Sequence, residues 1–150
     1  MVKALYVEKK PEFANRAKEL IKEFRENLHI ERLTNIRVIN RYIIEDLSDK
    51  AFEEARGTIF SEPPTDTSYT DMDFRKQVVI AVEYLPGQFD QRASSAEECL
   101  QFIAPDEKPT VKSAVIYILE GELSNKELEK IKNYLINPVE SREASLGVPA

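Results

Sequence analysis

The feature that most constrains the fold is an internal repeat in which Leu47 aligns with Leu123. Four segments of the first half match four segments of the second half in the same order. The aligned pairs are LSDKAFEEARGTIF (47–60) with LSNKELEKIKNYLI (123–136), RVINRYIIED (37–46) with SAVIYILEGE (113–122), FSEPP (60–64) with INPVE (136–140), and LYVEKKP (5–11) with AVEYLPG (81–87). An ordered match of this kind predicts two copies of one structural unit rather than a chance similarity of two amphipathic helices.

Each copy has the pattern strand, helix, strand, helix. Alternating or branched apolar runs predict the strands, and apolar residues at helical spacing predict the helices. In the first copy the strands cover 4–8 and 36–44, and the helices carry the apolar stripes 13–28 and 52–60. In the second copy the strands cover 78–85 and 113–119, and the helices carry 93–103 and 128–135. Ser48 is a good N-cap, and Ser124 with Glu127 forms a capping box.

A unit of this size is too small to cover both faces of a sheet. The predicted class is therefore α+β, with two tandem ferredoxin-like β-α-β-α units that have antiparallel sheets and form an intrachain pseudo-dimer. The two units would cover each other sheet to sheet or join edge to edge. We expect a first repeat over 1–60, a polar linker over 61–75, a second repeat over 76–140 and the start of a further linker over 141–150, together one domain. A short fifth strand near 139–142 is an open alternative.

The composition of the chain argues against two classes of function, nucleic-acid binding and membrane association. The net charge is −6, from 27 acidic and 21 basic residues, which argues against nucleic acid as the partner because phosphate binding needs a basic face. The longest apolar runs have five or six residues, so no membrane association is expected. The single cysteine, Cys99, lies in a helical pattern and is expected to be a small buried hydrophobe. The expected compartment is the cytoplasm.

The chain lacks the usual catalytic motifs. It has four glycines and one histidine, His29, without a phosphate-binding loop, a nucleophile elbow or a cluster of metal-ligating residues. Acidic pairs on the predicted helices are expected to be solvated. We therefore expect no catalytic residue, no bound cofactor and no metal in this chain.

One polar stretch, PGQFDQR, follows the strand at 78–85. Its residues are Pro86, Gly87, Gln88, Phe89, Asp90, Gln91 and Arg92. Pro86-Gly87 predicts a turn and Asp90 an N-cap for the next helix, although Ser94 with Glu97 offers a competing start. Local structure, a partner interface with Phe89 as its anchor, and an anion site near Arg92 all remain open.

Two longer stretches carry a family resemblance. AVEYLPGQFDQRASSAEECLQ (81–101) and YLINPVESREAS (134–145) resemble segments near the N-terminus of the large, single-chain form of phosphoribosylformylglycinamidine synthase. The opening ALYVEKKPEF and FSEPPTDT (60–67) are similar to it as well. The resemblance covers nearly the whole chain.

The resemblance implies a non-catalytic N-terminal domain of a purine-biosynthesis ligase that uses ATP and glutamine. In the family this domain is similar to a dimer of the small separate subunit found in some bacteria, and helps to organise ammonia transfer. Its partners would be the synthetase core and the glutaminase domain, in the same or a separate chain, and ATP and magnesium would bind in the complete enzyme. The synthetase core and the glutaminase cysteine would lie beyond Ala150, so the sequence is expected to be a fragment or one subunit of a split enzyme.

Two hypotheses follow for the function. In the first, residues 86–92 face the synthetase core or the glutaminase, with Phe89 buried in that interface. In the second, the chain is a stand-alone regulatory module that binds a small molecule between its two units. The first hypothesis predicts an exposed apolar patch near Phe89, and the second predicts a concave pocket with convergent polar groups.

Overall fold

The computed structural model describes residues 2–147, which form one open, antiparallel, six-stranded sheet and four α-helices. The strands are β1 (Val2–Lys9), β2 (Leu33–Glu45), β3 (Asp66–Tyr69), β4 (Val78–Tyr84), β5 (Thr110–Gly121) and β6 (Ser141–Glu143). The helices are α1 (Asn15–Glu26), α2 (Asp49–Arg56), α3 (Gln91–Ile103) and α4 (Asn125–Leu135), and a short 3-10 turn spans Pro11–Phe13. The predicted α+β class with an antiparallel sheet is confirmed.

The sheet order is symmetric about its two central strands. The order is β3-β1-β2-β5-β4-β6, so each half of the chain supplies three adjacent strands. The long strands β2 and β5 pair along nearly their whole length, with Ile39 opposite Ile116 near the middle. Corresponding elements of the two halves, namely β1 and β4, α1 and α3, and α2 and α4, begin at the spacing of the sequence repeat. The two halves therefore join edge to edge in one sheet.

All four helices lie on one face of the sheet. Alternate residues of a strand point to opposite faces, and two separate core clusters use Ile36 and Ile44 of the same face of β2. One cluster contains residues of α1 and α4, and the other contains residues of α2 and α3. Each cluster therefore combines one helix from each half of the chain.

The opposite face carries a third, smaller cluster. Tyr6, Ile39 and Ile116 are buried there, and Met72 and Phe74 from the segment before β4 pack against them. The ring of Phe74 meets that of Tyr6 edge to face, with centroids 6.0 Å apart. Loops thus cover the face that the helices leave open.

The segment expected to be a linker, residues 61–75, contributes structure to the sheet. Its β3 pairs with the outer edge of β1, with Tyr69 opposite Tyr6. Residues 141–143, expected to begin a further linker, form β6 and pair with β4, so the strand considered as an alternative near 139–142 is present and overlaps that range. The last three residues of that expected linker, 148–150, lie outside the described residues. The polar and proline-rich composition that indicated a linker is equally compatible with a short edge strand, because one side of such a strand faces water.

Two local predictions were wrong. Cys99 is exposed, because the buried stripe of α3 runs through Ala93, Ala96 and Leu100 and position 99 falls outside that stripe. Helix α2 ends at Arg56 with Gly57 as its C-cap, before the expected end at residue 60. Beyond it Phe60 remains buried in the core cluster around α2. The predicted caps of α2 by Ser48 and of α4 by the Ser124–Glu127 capping box are confirmed.

Candidate functional site

The PGQFDQR stretch connects β4 to α3. Its turn is closed by a hydrogen bond from the Gln88 N–H to the Leu85 carbonyl (3.0 Å). Gly87 has a φ of 88°, a conformation that glycine adopts without steric cost. Pro86, Gly87 and Gln88 are exposed. Leu85 is tied to the turn before β6 through its N–H, which donates to the Glu140 carbonyl (2.9 Å).

Asp90 has a structural role within the chain. Its carboxylate accepts a hydrogen bond from the Ala93 N–H (3.0 Å), which makes it the N-cap of α3 and excludes the later start at Ser94. The same carboxylate accepts hydrogen bonds from the N–H (2.9 Å) and the hydroxyl (2.7 Å) of Ser113 on β5. Asp90 thus holds the start of α3 against the sheet.

Phe89 points into solvent. Its exposed fraction is 70%, and it stands beyond the end of β4. Tyr84 at that end and Val139 in the turn before β6 are also exposed, at 43% and 78%. The register pairs Tyr84 with Ser141, so these two apolar residues lie at the same corner of the sheet. The end of β4 is thus followed or flanked by three exposed apolar side chains, Tyr84, Phe89 and Val139, and this region is the Phe89 corner.

Gln91 and Arg92 open α3 and are both exposed. Arg92 also lines a groove with a volume of about 770 Å³, in which the start of α1, the end of β1 and the middle of β2 and β5 meet. This size lies in the range of small-molecule sites, about 300–1,000 Å³. Two residues of the stretch therefore lie at different surfaces: Phe89 lies at the apolar corner, and Arg92 lies at the groove.

The groove is strongly basic. Six cationic side chains line it against one carboxylate, Glu8. The six are Lys9, Lys10, Arg16, Lys18, Arg37 and Arg92. This concentration stands out in a chain whose net charge is −6.

Two of the six cations are neutralised within the chain. Arg37 forms a bidentate ion pair with Glu8, with N–O distances of 2.7 and 2.8 Å, and this interaction holds the pKa of Arg37 above its ordinary value. Lys9 pairs with Asp66 at 2.8 Å. Within residues 2–147, the other four cations have no carboxylate partner.

The charges of Arg16 and Arg92 act on buried tyrosines of the sheet. Burial raises the pKa of Tyr117 on β5, while Arg16 at its hydroxyl and Arg92 nearby oppose that rise. Burial also raises the pKa of Tyr42 on β2, again opposed by Arg92. Arg16 at the start of α1, Arg92 at the start of α3 and Tyr117 on β5 all line the groove.

The sequence contained a signal for this pair. Phe13-Ala14-Asn15-Arg16-Ala17 and Phe89-Asp90-Gln91-Arg92-Ala93 follow the same pattern, Phe, any residue, amide, Arg, Ala, at the offset of the repeat. Arg16 and Arg92 are accordingly the second residues of α1 and α3. Sequence reasoning noticed only the second occurrence and did not predict Arg16.

A buried arginine lies elsewhere on the sheet. Arg41 on β2 is 3% exposed, and its Nη1 donates to the Ser145 carbonyl (2.6 Å). Its Nε has no hydrogen-bond partner within the described part of the chain. Burial lowers the pKa of Arg41 from its ordinary value.

Other features bear on metal and membrane binding. Among residues 2–147, no group of three or more His, Cys, Asp or Glu side chains is arranged to hold a metal ion. His29 lies just after α1, with a φ of 57°. No helix in the described range is both long enough and apolar enough to cross a membrane.

Comparison of the chain with models of protein families gave no match, and comparison with curated proteins gave none either.

Proposed function

We propose that this chain is the non-catalytic N-terminal domain of a cytoplasmic phosphoribosylformylglycinamidine synthase. It would couple the glutaminase to the ATP-dependent synthetase core and help to organise ammonia transfer in purine biosynthesis. ATP and magnesium would bind in the synthetase core, and we assign no catalytic residue to this chain. The proposal rests on the resemblance of residues 81–101 and 134–145 to the N-terminal part of that enzyme.

The arrangement of the two halves supports the proposal most directly. The resemblance implies a single-chain counterpart of a dimer, and here corresponding elements recur in the same order on either side of the β2–β5 pair. We interpret each half as a ferredoxin-like β-α-β-α unit with a short added strand. Such a pseudo-dimer provides a rigid body with two similar ends, which suits a domain that lies between two others.

The exposed corner at Phe89 is the surface that we assign to a partner domain. An aromatic side chain that is 70% exposed provides an apolar anchor, and anchors of this kind dominate the binding energy of many interfaces. Gln88 and Gln91 are exposed beside it and supply polar contacts around the anchor. Asp90 is not part of this surface role, because its carboxylate is already bound to Ser113.

The test is reconstitution of the enzyme from this chain, a synthetase core and a glutaminase. Glutamine-dependent formation of the amidine should require the chain. We expect Phe89→Ala to weaken its association with the core or the glutaminase by about 30-fold, the effect of losing an interface residue worth about 2 kcal/mol.

Phe102→Ala is the matched control. Phe102 is 89% exposed near the end of α3, the helix that follows Phe89, and lies outside the 86–92 stretch, so its loss should leave association unchanged. The proposal fails if the chain neither associates with these partners nor alters the rate of amidine formation. Equal effects of Phe89→Ala and Phe102→Ala on association would contradict a specific role of the Phe89 corner.

A second candidate function is a stand-alone regulatory module that binds a small molecule. The groove of about 770 Å³ favours it, since polar side chains from both halves of the chain converge there. In that case the chain should bind a metabolite in the absence of any protein partner, and Phe89→Ala should leave that binding unchanged.

A further inference from the structure

We propose that the basic groove binds a small anionic metabolite that carries a phosphate group, and that Arg16 and Arg92 hold the phosphate. The site is independent of the Phe89 corner and of the proposed amidotransferase assembly.

The first support for this site is the distribution of charge. The groove collects six cations and one carboxylate in a chain with an overall charge of −6. Like charges placed close together repel each other, so an anion bound among them is stabilised. A concave wall of low dielectric also strengthens the field that draws an anion in.

The second support is the placement of the cations. Those paired with carboxylates lie on a different side of the groove from Arg16 and Arg92. The ion pairs Arg37–Glu8 and Lys9–Asp66 hold the β1 and β2 side of the groove in place. Arg16 and Arg92 approach from the helix side, where neither has a carboxylate partner in residues 2–147. Both side chains are exposed and are therefore available to a ligand.

The third support is geometry. Arg16 at the start of α1 and Arg92 at the start of α3 line the same groove as Tyr117 on β5. Two guanidinium groups offer planar, paired N–H donors that match the oxygens of a phosphate. The Tyr117 hydroxyl supplies a further polar group, and Val38 and Val115 form an apolar floor beside it. This combination suits a ligand with an anionic head and a less polar body.

The experiment is isothermal titration of the whole chain with AMP, adenosine, inorganic phosphate and citrate, at low and at physiological salt. We expect AMP to bind and adenosine not to bind. Inorganic phosphate should compete with AMP, which identifies the phosphate as the recognised group. Binding should weaken as the salt concentration rises, because screening reduces the attraction of an exposed site.

Arg16→Gln and Arg92→Gln should each lower the affinity for AMP by about tenfold or more, as expected for loss of a charge-assisted hydrogen bond. The matched control is Arg25→Gln, which removes an exposed arginine from the same helix α1, away from the groove. Circular dichroism melts of the three variants should each keep a cooperative transition, which shows that a loss of affinity is not a loss of folding.

Several results would overturn the proposal. If neither AMP nor inorganic phosphate binds at millimolar concentration, the groove is not a phosphate site. An equal loss of affinity in Arg25→Gln would show general charge attraction in place of a defined pocket. Citrate binding as tightly as AMP would remove the assignment to a phosphate. None of these results bears on whether the chain associates with a synthetase core, so failure of this proposal and failure of the amidotransferase proposal are distinguishable.

Discussion

Arg41 introduces a positive charge into the sheet without a salt bridge in the described part of the chain. Its side chain lies on β2 beneath the segment that follows β6, and one guanidinium nitrogen donates to the Ser145 carbonyl. The Nε proton has no acceptor within residues 2–147. Burial of a charge with incomplete hydrogen bonding lowers the free energy of unfolding. A well-packed apolar side chain in the same space avoids that loss.

We therefore expect Arg41→Met to raise the free energy of unfolding by about 1–2 kcal/mol. Methionine has a similar length and an adaptable shape, so it can fill the space without a charge. Urea unfolding followed by circular dichroism measures the change. Arg142→Met is the control, because Arg142 forms an exposed pair with Glu83 and should change stability by less than about 1 kcal/mol. A clear loss of stability in Arg41→Met would contradict this account.

At the scale of elements, the attachment of β3 to β1 depends on one carboxylate, that of Asp66. Asp66 at its start has a side chain that is 6% exposed and pairs with Lys9 on β1. It also accepts a hydrogen bond from the Glu62 N–H (2.8 Å). Burial opposes ionisation of Asp66, but these interactions outweigh it, so the pKa of this carboxyl lies below its ordinary value.

The lowered pKa of Asp66 predicts a pH-dependent contribution to stability. The ionised carboxylate is favoured in the folded state, so its contribution is complete above the unfolded-state pKa of about 4. It is lost as the pH falls from there through the lower folded-state pKa. At neutral pH, Asp66→Asn should lower the free energy of unfolding by about 1–2 kcal/mol.

The measurement is the difference in the free energy of unfolding between the original chain and Asp66→Asn, followed from pH 7 to about pH 2. The difference should stay constant down to about pH 4 and then shrink. Asp73→Asn is the control, because Asp73 is an exposed carboxylate paired with Arg75 that solvent screens. A difference independent of pH would show that the Asp66 charge does not hold β3.

The elements differ in how well the sequence predicts them. The four long strands and the caps at Ser48 and Ser124 follow from local apolar patterns and hydrogen-bonding side chains, so the prediction found them. The edge strands β3 and β6 have four and three residues, too few for an alternating pattern to stand out from a loop. The groove was not predicted because Arg16 and Arg92 belong to different halves of the chain and line one groove only after β2 and β5 pair.

At the scale of the whole molecule, the two halves share their cores. The cluster around α1 includes Phe24 from the first half with Ile80 and Ile131 from the second. The cluster around α2 similarly includes Leu100 of the second half. The third cluster joins Ile39 to Ile116. A half separated from its partner would therefore expose apolar surface in all three clusters and the full unpaired edge of β2 or β5.

This arrangement predicts that neither half folds as a monomer. Fragments 1–76 and 77–150, cut in the exposed segment before β4, should each show no cooperative thermal transition as a monomer. Each should self-associate through its free central strand, as exposed apolar edges do.

Mixed in equal amounts, the fragments should assemble one to one and recover a cooperative melt. Light scattering after size-exclusion chromatography measures the assembly, and circular dichroism measures the melt. A monomeric fragment 1–76 that melts cooperatively would show that the repeat is two independent domains, and would remove the main structural support for a pseudo-dimer acting as one body between two partner domains.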